Sequence, residues 1–190
     1  MGQERIDNEP IGFNPQKMGA LETSRFKNLS KGDMAKAFED QLKMYKEQWK
    51  LPDHVAAGAI HFIESSNAFV GIGKEIEGTR NLLILSHYSL ITRDSGLKFD
   101  PISASEAYLN AVKKQSEKSP IPIHETAKLF SIIYSVDPDN ETLLDAMELR
   151  DSAFLKLRSK NFDRSSEEDW GKFQGYLTDY YRYLDLAIRH

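Results

Sequence analysis

The 190-residue sequence contains no cysteine. That excludes a disulfide-stapled secreted scaffold, cysteine-ligated zinc and thiol catalysis. A surplus of base is missing as well: 25 Lys and Arg stand against 29 Asp and Glu, for a net charge of -4. A general nucleic-acid coat is therefore not expected, because that role needs cations to displace counterions. Long apolar runs are also lacking. The longest uncharged stretch, Asn81 to Thr92, lies between Arg80 and Arg93 and falls short of the roughly 20 residues a membrane helix requires. Residues 1–20 carry Arg5, Asp7, Glu9 and Lys17 with no apolar h-region, so no secretory signal is expected. Gly2 does not open a myristoylation motif, because Ile6 stands where that motif wants Ser or Thr. These absences point to a cytoplasmic protein without a membrane partner.

Glycine-rich signatures fail too. Gly71, Gly73 and Gly78 fit neither the dinucleotide fingerprint nor a P-loop, no strand precedes them, and no nucleophile elbow stands in a suitable context. The Gly71-Ile72-Gly73 step reads as a helix break or kink. No cofactor is expected.

What is present is a globular composition, with 40% hydrophobic and 28% charged residues. A chain of this length can bury roughly 70% of its unfolded-state surface without staples. From residue 33 onward the apolar spacing is helical. Met34, Phe38, Leu42, Tyr45 and Trp49 share one face, with Asp33 before them and Pro52 as a stop. Ala56, Ile60, Ile63 and Val70 form a second stripe after Asp53. Ile76, Leu83 and Leu90 form a third, at heptad spacing. Ser103 with Glu106, and Ser165 with Glu168, have the spacing of capping boxes. The second box opens the clearest helix, with Trp170, Phe173, Leu177, Tyr180, Tyr181, Leu184 and Ile188 in register. No strand alternation is convincing. The spacing predicts an all-α, bundle-like domain of about seven helices over residues 33–190.

Residues 1–32 read differently. Ile11, Phe13, Met18, Leu21 and Phe26 are scattered among Pro10, Pro15 and several glycines without a sustained period. The segment reads as an extended arm with one short helix near residues 19–28, ordered by lying on its own domain or on a partner. In the last helix, Tyr180, Tyr181 and Tyr183 cannot all face one core, so part of this set is expected at an interface. Charge runs such as Lys113-Lys114 and Glu167-Glu168-Asp169 read as solvated faces.

Two constellations bear on chemistry. Arg80-Asn81 followed by His87 resembles the R-x4-6-H signature of HEPN ribonucleases, an all-helical family. Residues seven apart project from one helix face, and the resemblance implies a metal-independent RNA cut with Arg80 on the phosphate and His87 as acid or base. On the other reading Arg80 snorkels and His87 is hydrogen-bonded within the core. His54, His61 and Glu64 share a face suited to a metal, yet their order reverses the Glu-x-x-His pattern of di-iron bundles and no second helix repeats it. No metal is expected there. The leading expectation is a non-catalytic interaction or assembly protein. Its arm (Ile11, Phe13, Met18, Leu21, Phe26) and tyrosines (Tyr180, Tyr181, Tyr183) would meet a protein partner or a second subunit. The ribonuclease is the alternative, and the only one that brings in nucleic acid.

Overall fold

The computed structural model describes residues 12–69, 74–115, 120–159 and 165–190. Among these residues the chain is all-helical, in a bundle-like arrangement. Its helices are α1 Pro15–Ser30, α2 Met34–Trp49, α3 Asp53–Ala68, α4 Lys74–Asp94, α5 Pro101–Lys114, α6 Ile123–Tyr134, α7 Glu141–Ser159 and α8 Glu167–Arg189. None is long and apolar enough to cross a membrane.

Local chemistry sets most of the boundaries. Asn14, Asp33, Asp100 and Ser166 each accept a backbone N–H of the following first turn, which satisfies donors that a helix start otherwise leaves open. Pro15 and Pro101 take the first helical positions of α1 and α5, where a missing N–H costs nothing. Two expected caps move. The box before α8 is formed by Ser166 and Asp169 rather than Ser165 and Glu168, and α5 is capped by Asp100, with Ser103 donating its hydroxyl to the same carboxylate at 2.6 Å. Lys50 and Ser135 end α2 and α6 in the left-handed conformation.

The helix within residues 1–32 is longer than the short one expected near residues 19–28. Residues 15–30 are not an extended arm. They form a regular helix that packs along α8 and α2. Its buried residues are Met18, Gly19, Glu22 and Thr23, so only one of the four is a large apolar side chain. At Gly19 the approach to α8 is close: a Cβ there would fall 2.9 Å from the Thr178 amide nitrogen and 3.0 Å from its Cα.

Buried side chains fall into two lobes. The first combines Phe13 and Met18 with α7 (Leu143, Met147, Phe154) and α8 (Phe173, Leu177, Leu184). The second is built by α2 to α5, with Trp49, Ile60, Ile84, Tyr88 and Ile91 inside. Helix α6 is the wall between them. Ala127 faces the first lobe, Leu129 and Ile133 face the second, and Phe130 packs against both. Each large apolar side chain so buried contributes about 1.5–3 kcal/mol.

Candidate functional site

The expected interface residues are drawn into one place, and it is the core. Phe13 is 4% exposed, Met18 0%, Tyr180 1% and Tyr181 2%. Phe26 and Tyr183 are partly buried against the same lobe, Leu21 is partly buried, and Ile11 lies outside the described residues. The two adjacent tyrosines both find cover because α8 lies between α1 and α7. The hydroxyl of Tyr181 donates to Glu22 at 2.7 Å, and Tyr180 lies under the Arg150 guanidinium at 4.7 Å. Phe13 meets Tyr181 edge-to-face at 5.7 Å. These contacts take up Phe13, Tyr180 and Tyr181 within the same chain.

At the centre of this lobe is a charged network. Arg150 donates to both oxygens of Glu22, at 2.5 and 3.0 Å, in a bidentate pair. Burial works against the guanidinium charge, but the facing carboxylate outweighs it and holds Arg150 protonated far above its ordinary pKa. Burial also pushes the Tyr180 hydroxyl up to about 12. Every polar group here has a partner, as a buried charge requires, and the constellation offers no open position for a substrate.

Arg80 and His87 lie on α4 as the spacing requires, but His87 turns inward. It is 3% exposed, its Nδ1–H donates to the Ala59 carbonyl at 2.8 Å, and Tyr45, Trp49 and Tyr88 surround its ring edge-to-face. Burial lowers its pKa to about 4, so the ring is neutral near pH 7. A neutral ring enclosed by aromatics cannot reach a scissile phosphate, and proton transfer requires that reach. Arg80 is half-buried beside Tyr108, and its Nε and Nη2 make no hydrogen bond and have no exposed surface. The geometry fits the core-histidine reading and not the catalytic one. His54 and His61 are exposed, while Glu64 is held by Arg25 and Gln41, both at 3.0 Å. Among the described residues no three His, Asp or Glu side chains gather as metal ligands.

Uncovered apolar side chains lie elsewhere. Met34 is 66% exposed and Phe38 42%, one turn apart on α2. They belong to the same stripe as the buried Tyr45 and Trp49. Gln41 meets Glu64 near the end of α3, and the two turns of α2 before Gln41 leave this part of the stripe bare. The sequence periodicity identified the stripe but carried no sign of where its cover stops. Leu82, Ile102 and Leu186 are also exposed, on three other helices.

No family model, no curated protein and no solved structure matches this chain.

Proposed function

We propose that the protein is a non-catalytic helical interaction module of the cytoplasm whose contact surface includes Met34 and Phe38. The observation that supports this is the exposed pair itself: two large apolar side chains, one turn apart, continuing a stripe that is buried further along the same helix. Scattered single exposed apolar residues are ordinary, whereas adjacent ones favour contact with another surface. The Asp33 cap fixes the first turn of α2, so the pair is presented on rigid backbone and loses little entropy on binding. The contact surface moves from the expected arm to α2, because Phe13, Met18 and the α8 tyrosines are used inside the fold.

The test is sedimentation velocity over a wide concentration range, together with cross-linking in the native source, on the wild type and on Met34→Ser/Phe38→Ser. Substitution is expected to remove self-association or a cross-linked protein partner, at a cost of about 2 kcal/mol per anchor, with the circular dichroism unchanged. Identical sedimentation and identical cross-links in both chains would sink the proposal.

A further inference from the structure

We propose that the groove between α5 and α6 binds a small phosphate-bearing molecule through Lys113, Lys114 and Lys128. The groove encloses about 420 Å³ and is lined by these three lysines with Ala107, Asn110, His124 and Glu125. That volume lies in the range of small-ligand sites, roughly 300–1,000 Å³.

Unbalanced charge is the first argument. Many surface lysines stand beside carboxylates: Lys17 with Glu47, Lys36 with Asp33, Lys46 with Asp53, Lys172 with Glu168. Lys113, Lys114 and Lys128 have no such partner among the described residues, although the chain as a whole is acidic. Among the described residues Glu125 shares the groove and Glu148 the adjoining hollow, yet neither pairs with these lysines, which leaves three cations against two carboxylates. Like charges gathered in a concave site raise the local concentration of a counter-ion.

The kind of cation selects the ligand. Lysine ammoniums bind phosphate as compact point charges with freely turning donors. Three of them can neutralise a dianion, where a carboxylate monoanion would leave charge unmatched. Beyond His124 lies a second hollow of about 380 Å³ that shares Lys114 and adds Ile123, Pro122 and Leu144. It gives an apolar seat for the carbon part of a phosphate ester, with Glu148 at its edge.

The test titrates pyrophosphate, inorganic phosphate and acetate, at matched ionic strength, into the isotope-labelled full chain and follows amide and lysine resonances. Saturable shifts centred on Lys113, Lys114, His124 and Lys128 are expected with the phosphates and not with acetate. Lys114→Gln/Lys128→Gln should weaken pyrophosphate binding about tenfold or more, while Lys36→Gln/Lys43→Gln, on α2, binds as the wild type does. Shifts that follow ionic strength alone, that centre on other residues, or that acetate reproduces would overturn the proposal. The wild-type map decides on its own if the double variant folds poorly.

Discussion

The two lobes on either side of α6 solve the same problem with different chemistry. In the lobe of α1, α7 and α8, the buried polar groups are ionised: Glu22 and Arg150, 128 residues apart, form a bidentate pair sealed by Tyr181. In the lobe of α2 to α5 the hydrogen-bonded groups at the centre are neutral, and the charged Asp40 and Arg80 lie at its margin. His87 donates to the Ala59 carbonyl, and the Tyr134 hydroxyl accepts from Gln48 at 2.8 Å and from Trp49 at 3.1 Å. Neutral hydrogen bonds cost little to bury. A buried ion pair must first overcome desolvation, so its net contribution to stability is small even though breaking it is costly. The difference teaches that the first lobe depends on specificity. Helix α1 has few apolar residues on its buried face, and the Glu22–Arg150 bond helps set where it docks, together with Phe26 against Phe154 and Phe173.

The largest expected effect separates the lobes directly. Glu22→Gln leaves Arg150 without a counter-charge and should lower unfolding free energy by about 3–5 kcal/mol, measured by urea denaturation. Glu22→Leu/Arg150→Met removes both charges and should recover most of that loss. A double variant no more stable than Glu22→Gln would show that the pair stabilises the fold outright.

The neutral lobe should reveal itself through pH. Folded His87 titrates at about 4 against an ordinary 6.5. Between those values the unfolded chain holds a proton that the folded chain does not, so stability falls as pH drops from about 6.5 to about 4, by about 3 kcal/mol in all, and this loss levels off below. The groups around the ring, Tyr45, Trp49 and Tyr88, are uncharged at these pH values, so His87→Phe should flatten that part of the profile. Unfolding curves at pH 7.5, 5.5 and 4.5 on both chains check it. Equal slopes in the two chains would mean that other groups govern the acid range.

Smaller effects compare the closest helix approaches. Gly19→Ala sets a methyl against Thr178 backbone, which cannot step aside, and should cost about 1–3 kcal/mol. Gly58→Ala meets only the Leu90 Cδ1 at 3.3 Å. That side-chain end can move, and the gain in helix propensity is about 1 kcal/mol, so thermal unfolding should shift little or upward. A large loss at Gly58 would mean that α3 and α4 are packed as rigidly as α1 and α8.

These contrasts also explain what the sequence disclosed. Helix α8 was legible because Trp170, Phe173, Leu177 and Leu184 are apolar at helical spacing and all are buried. Helix α1 was legible only as a short helix near residues 19–28, because a face made of Met18, Gly19, Glu22 and Thr23 shows no hydrophobic period, and the partners that bury Glu22 lie in distant sequence. On α4 the spacing groups Ile76, Leu83 and Leu90 in one stripe, whereas the buried residues are Ile84, His87, Tyr88 and Ile91. Leu83 and Leu90 flank that face and are half-covered. A stripe tells which residues lie together and not which neighbour covers them. Met34 and Phe38 carry the same lesson at the open end of α2. Neither the lysine groove nor its lack of pairing leaves a trace in local spacing, because α5 and α6 bring its residues together only in three dimensions.

The pairing of α1 with α8 also orders events in time. Gly12 lies against the Arg189 side chain and α1 packs along α8, a helix that leaves the ribosome long after it. At about 5–20 residues per second, the 159 residues between α1 and Arg189 take roughly 8–30 s to synthesise. For most of that interval Glu22 has no Arg150 to meet, and Tyr181 comes later still. A helix whose inner face is largely polar can wait in water without offering an apolar surface to aggregation. The same composition that weakens the hydrophobic period of α1 makes it safe to emit well before its partner.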